Sequence, residues 1–173
     1  AGSAIYGAQS ITGAINSKLV DPETDVPYYL NIYGDYHGRM EGNLHINRKF
    51  SPNAQSGIYL HASRHSGFRD HNNDGFYDDA RATRLNAMIR NHYSSKNWEG
   101  QLNFQALRDK RNGGQTILEN PYLSSQTIDH FNISSKIGYL GFNNPNKSIG
   151  SIWDFSFSTL DGNYGKRFGL NAI

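Results

Sequence analysis

The stretch Trp98-Glu99-Gly100-Gln101-Leu102-Asn103-Phe104-Gln105-Ala106-Leu107 alternates residue by residue between two chemistries. Trp98, Gly100, Leu102, Phe104 and Ala106 are apolar or small, whereas Glu99, Gln101, Asn103 and Gln105 are polar. A period of two is that of an extended strand, whose successive side chains point to opposite sides. The stretch therefore reads as a β-strand with one apolar and one polar face.

The pattern recurs on both sides of it. Met40, Gly42, Leu44, Ile46 and Phe50 stand against Glu41, Asn43, His45, Asn47 and Lys49, with Arg48 out of phase. Leu85, Ala87, Ile89 and Tyr93 oppose Arg84, Asn86, Arg90 and His92. Ile149, Ser151, Trp153, Phe155 and Phe157 oppose Gly150, Asp154, Ser156 and Ser158, with Ile152 as the exception. Ile58, Leu60 and Ala62, and then Phe131, Ile133, Ile137 and Tyr139, mark two more strands. Residues 28–36 read as the first strand, turning through Tyr36-His37-Gly38-Arg39, and 167–173 as a last one.

The connections sort by length. Ser51-Pro52-Asn53-Ala54, Ser94-Ser95-Lys96-Asn97 and Asn143-Asn144-Pro145-Asn146-Lys147 are tight and rich in turn formers. Residues 66–79, 109–129 and 160–166 read as longer, irregular loops. Short turns at one end and long loops at the other are the layout of an outer-membrane barrel, with the short end periplasmic. Phe50, Tyr93, Trp98 and Phe142 lie beside the short turns, where an interfacial aromatic girdle belongs. The expected fold class is all-β: an antiparallel up-and-down transmembrane β-barrel segment, about seven or eight strands of a larger barrel. Glu41, Asn43, His45, Arg84, Arg90, Gln101 and Gln105 are expected to face its lumen. The alternative is a soluble β-rich ligand-binding module, carbohydrate-directed through its Tyr and Asn residues, because a sheet with one packed face alternates in the same way.

Composition narrows the function classes. Hydrophobic residues make up 36% of the 173 and aromatics 13%, and a chain so rich in aromatics is not of disordered type. No apolar run approaches the roughly 18 residues of a membrane-spanning helix, while a barrel wall needs apolar residues only at alternate positions. A formal charge of +2, without a basic run interleaved with aromatics, gives no reason to expect nucleic acid as a partner. The absence of cysteine removes disulfides, thiol nucleophiles and Cys-ligated zinc. None of the seven histidines stands in a His-Glu-x-x-His spacing, and no nucleophile elbow surrounds Ser56 or Ser66, so no enzyme is expected.

Asp70-His71-Asn72-Asn73-Asp74-Gly75-Phe76-Tyr77-Asp78-Asp79 is the one constellation with metal-ligand spacing. Oxygen ligands at Asp70, Asn72 and Asp74, glycine at the sixth position and Asp78 at the ninth follow the first part of an EF-hand loop, in which alternate side chains converge on a hard cation. The twelfth position is Arg81 instead of the bidentate Glu, and strands instead of helices flank the loop. A calcium-binding β-loop at Asp70, Asn72, Asp74 and Asp78 is the expectation; solvated turn formers would give the same letters.

Ahead of the first strand, Gly2-Ser3-Ala4-Ile5-Tyr6-Gly7 is followed by Gly13-Ala14-Ile15-Asn16. This resembles the end of the plug domain in TonB-dependent outer-membrane receptors, where a Gly-Ser-Ala-Leu-Tyr-Gly element precedes Gly-Val-Ile-Asn and the first barrel strand. The polar third loop and the strands after it are similar to the Bacteroidetes cobalamin and siderophore receptor group. The resemblance implies that residues 1–25 are the end of a plug and its linker and 26–173 the N-terminal part of a barrel of about 22 strands. It implies energy-coupled uptake of a scarce nutrient, such as cobalamin or an iron–siderophore complex. The nutrient would bind at the outer loops, TonB would act through a plug region beyond this sequence, and the barrel wall would meet the lipid bilayer of the bacterial outer membrane. Receptors of the cobalamin type also bind calcium in outer loops.

Overall fold

The computed structural model describes residues 21–172 except 68, 117, 118, 120, 145, 166 and 167, with backbone alone for 168–172. The plug-like motif between Gly2 and Asn16 lies outside the described residues. The rest forms a single all-β sheet of antiparallel, up-and-down strands: β1 (Tyr28–Gly34), β2 (Arg39–Ser51), β3 (Ala54–His65), β4 (Arg81–Ser94), β5 (Trp98–Gly114), β6 (Leu123–Tyr139), β7 (Ile149–Tyr164) and β8 (Phe168–Ala172). Each strand pairs with its neighbours in chain order, and β1 and β8 do not meet, so the sheet is open. No helix of the described residues is long and apolar enough to cross a membrane, which says nothing of strands.

Register turns the alternation of single strands into a property of the whole sheet. Residues directly opposite one another on antiparallel strands share a face. Leu30, Leu44, Leu60, Ala87, Ala106, Phe131 and Phe157 thus form one continuous row from β1 to β7. Tyr28, Ile46, Ile58, Ile89, Phe104, Ile133 and Phe155 form the next. A one-residue slip anywhere would carry a strand's apolar set to the other face. Arg48 falls on the apolar face, opposite Ser56, and Ile152 on the polar face, opposite Lys136, as their phases require.

Several strands outrun their sequence patterns. Residues 109–114 and 123–129, expected within a loop, instead continue β5 and β6, which reach 17 residues each and pair from Trp98↔Tyr139 to Gly114↔Leu123. Likewise, 160–164 belongs to β7. Above the apolar band neither face is apolar, so the hydropathy alternation ends while the backbone ladder goes on. Arg108-Asp109-Lys110-Arg111 still alternates, with Asp109 and Arg111 on the polar face and Arg108 and Lys110 on the other. Asn112-Gly113-Gly114 closes the strand instead of making a loop turn; Gly114 (φ 135°) turns the chain where an added Cβ would collide with the Tyr122 carbonyl oxygen.

Candidate functional site

The apolar face is an exposed surface, not a core. Among the described residues no hydrophobic side chain is buried, and Leu30, Ile32, Phe155 and Phe157 are 67%, 74%, 64% and 55% exposed. On β5 the apolar or small positions run from Trp98 to Ala106, about nine residues, which is the span a tilted strand needs to cross a bilayer core. Toward the short turns the face ends in aromatics: Trp98 and Tyr139 are directly paired with ring centres 4.9 Å apart, and Phe142 lies 5.1 Å beyond Tyr139. Tyr93 and Phe50 stand at the same end, exposed. Where side chains shrink to Gly42, Ala62, Ala87 and Ala106, an open trough of about 790 Å³ crosses the face from Leu30 and Ile32 to Phe157.

The polar face is a hydrogen-bonded lattice. His61 Nδ1 lies 2.8 Å from Asn43 Oδ1, and the Tyr59 hydroxyl donates to Asn47 Oδ1 at 2.9 Å. Asn103 donates to Ser134 at 3.2 Å and Asn132 to Asp154 at 2.7 Å. The residues expected to line a lumen, Glu41, Asn43, His45, Arg84, Arg90, Gln101 and Gln105, all stand on this face by register. At its upper end Asp109, 6% exposed, accepts from Arg84 Nη2 at 2.7 Å and from Arg111 Nη2 at 2.9 Å.

Sequence reasoning missed a contact on this face. Asp21-Pro22-Glu23-Thr24-Asp25 folds into a turn, with the Thr24 and Asp25 N–H groups both donating to the Asp21 carbonyl at 3.0 Å, and lies against the polar side. Asp25 accepts from Asn47 at 2.9 Å and stands 3.2 Å from His45, while Glu23 accepts from Gln55 at 3.3 Å. The signal was available in three acidic residues at every second position just before the first strand. The segment that enters the sheet does so from its polar side.

The connections at the far end from these aromatics are tied to one another. Arg69 Nη2 donates to the Tyr36 carbonyl at 3.0 Å, the Ser66 N–H to Gly38 O at 3.0 Å, and the Thr116 N–H to Gly75 O at 2.8 Å. In the hairpin between β1 and β2, the Arg39 backbone N–H donates to Asp35 at 3.0 Å and holds that carboxyl below the usual aspartate range, against a smaller opposing effect of burial.

Three of the four expected calcium ligands meet within this ledge. The Asp74 N–H donates to Asp70 Oδ1 (3.2 Å) and Asn72 Oδ1 (3.1 Å), and the Gly75 N–H to Asp70 Oδ2 (2.9 Å). Asn73 (φ 57°) and Gly75 (φ 84°) supply the left-handed residues that bend the chain there. Asp78 is engaged apart from them, accepting from the His71 N–H at 2.6 Å. The all-oxygen donor set suits a hard cation. Among the described residues, however, no three His, Cys, Asp or Glu side chains converge as a metal cage. The carboxylates are satisfied by backbone N–H groups of their own loop and by the Thr116 hydroxyl, 3.2 Å from Asp70.

Comparisons with protein-family models, curated proteins and solved structures returned no match.

Proposed function

We propose that this chain is part of the wall of an outer-membrane β-barrel, in a receptor of the TonB-dependent kind that takes up a scarce nutrient such as cobalamin or an iron–siderophore complex. The observation that carries the membrane reading is the register-aligned apolar band, exposed across seven strands, with a hydrogen-bonded polar face behind it. A soluble sheet of this size would hide such rows under a second layer, since burying apolar surface is what stabilises it. A barrel wall leaves them on lipid and turns the polar face to a wet lumen or plug. The acidic turn at 21–25 supports the same sense, because it brings the preceding chain to the polar side.

In this reading the connections at 35–38, 66–80 and 115–122 face outward, where nutrient would bind, and 52–53, 95–97 and 140–148 face the periplasm. The receptor identity rests on the sequence resemblance alone, and the nutrient classes come with it. The 66–80 loop is the place for calcium: Asp70, Asn72, Asp74 and Asp78 would hold the ion, which would neutralise the loop's carboxylates and stiffen it beside a ligand. Titration calorimetry of the whole chain should then show calcium binding that Asp70→Asn abolishes; heat that survives this substitution places the ion elsewhere, and no heat removes it.

Purification with and without detergent, followed by circular dichroism and size-exclusion chromatography, tests the membrane reading. A β-rich species that is monodisperse in micelles and aggregated without them is the expected result. A monodisperse β-rich monomer in plain buffer would replace this reading with the soluble binding module.

A further inference from the structure

The trough on the apolar face is not apolar to its upper end. Arg108 and Asp129 line it there beside Leu85 and Phe131. They are directly paired across β5 and β6, and the guanidinium of Arg108 grips the carboxylate with two bonds of 2.8 and 3.0 Å. One row higher on the same face stand Arg64, Thr83, Lys110 and Thr127, each opposite the next. Arg64 and Lys110 are thus two strands apart, about 10 Å by strand spacing, and Lys110 is one same-face step, about 7 Å, above Arg108. Both are exposed, and neither has an ion-pair or side-chain hydrogen-bond partner among the described residues. Three cations therefore cap the trough, and the carboxylates on the same face are Asp129, bound to Arg108, and Asp161, which stands opposite Thr127 and has an interaction of its own.

Long Lys and Arg side chains lay their stems along apolar surface and carry the charge to its margin. Here that margin also has the hydroxyls of Thr83 and Thr127 as donors. The opposite end of the same face differs: Arg48 is the cation that its strand positions carry, set over the Phe50 ring at 5.8 Å, whereas Lys96 and Lys147 stand in the turns beyond it. The asymmetry calls for an occupant with apolar chains and an anionic head at one end only.

We propose that this surface seats a phosphate-bearing lipid, with acyl chains in the trough and the phosphate between Arg64 and Lys110 beside Arg108. The proposal rests on the lipid-facing reading of the apolar face and adds a headgroup to it. Charge complementarity selects the phosphate: two flexible cations within reach of one dianion give attraction that neither a zwitterionic nor a neutral head supplies in full.

Native mass spectrometry of the whole chain, released from micelles doped equally with dioleoyl phosphatidate and dioleoylglycerol, tests it. Phosphatidate should be retained in preference, and the double substitution Arg64→Gln with Lys110→Gln should reduce that preference roughly ten- to thirtyfold, the loss expected for two cations at a membrane surface. Because these side chains are exposed and have no partner among the described residues, circular dichroism of the variant should match the parent. Lys96→Gln with Lys147→Gln, which removes the same charge at the other end, should leave the preference unchanged. Equal retention of the two lipids, or a preference that the Arg64/Lys110 variant keeps, overturns the phosphate seat and leaves the lipid-facing assignment standing. Retention of neither lipid, by a chain that stays monodisperse without detergent, overturns both.

Discussion

Asp109 is the charged side chain most enclosed among the described residues, and its surroundings explain why it is tolerated there. Arg84 reaches it from the adjacent strand and Arg111 from two positions along its own, so one carboxylate holds two guanidiniums together. Asp109→Asn keeps the shape and removes the charge, leaving the two cations facing each other. Both arginines are about half exposed, at 45% and 53%, so solvent screens much of the effect. A loss of about 1–2 kcal/mol is expected, less than for a fully buried pair. Urea titration of the micellar protein should show the lower midpoint, and added salt should raise the variant relative to the parent by screening the exposed cations. An unchanged midpoint would mean that Arg84 and Arg111 are held by their strands and not by Asp109.

At the scale of the element, neighbouring residues on one strand should respond in opposite ways to the same change. Ala87 and Asn86 are consecutive on β4, one on the central apolar row and the other opposite His61 and Leu107 on the polar face. Ala87→Arg sets a cation at the middle of the apolar band and should cost about 2–4 kcal/mol in a bilayer, whereas Asn86→Arg should cost under about 1 kcal/mol. Folding yield into vesicles, read by protection from protease, compares them directly. Equal sensitivity at the two positions would contradict the assignment of faces.

The same strands show what could be read from letters. Trp98 to Ala106 fixed type, phase and face of β5 because every second residue there must meet an apolar medium or water. Beyond Ala106 the letters of Arg108 to Gly114 looked like a loop, since charge on both faces has no hydropathy period even when the backbone ladder persists. Asp70, Asn72 and Asp74 were legible as a group because a turn needs short oxygen-bearing side chains at alternate positions. Asp78 was not separable from them, because its partner, the His71 N–H, is set by the fold of the loop.

For the whole molecule, the sequence carried the up-and-down order but not the rows that cross it. Which residue of β3 faces which of β4 depends on turn geometry, so the trough over Gly42, Ala62, Ala87 and Ala106 and the cationic row of Arg64 and Lys110 emerge only when strands are in register. The acidic turn at 21–25 was unread for a similar reason: its partners, His45, Asn47 and Gln55, are brought together by β2 and β3. An open sheet with β1 at one edge also leaves unpaired backbone groups, which other strands can complete.

The central claim is that the exposed rows meet acyl chains, and the two tryptophans of the sequence report on it, because Trp98 and Trp153 both lie on the apolar face. The measurement is fluorescence quenching of the chain reconstituted in vesicles, by lipids brominated along the acyl chain and by aqueous iodide. Strong quenching by bromolipid with weak quenching by iodide is the predicted result. Iodide quenching without an effect of bromolipid would contradict the account, because the band would then face water.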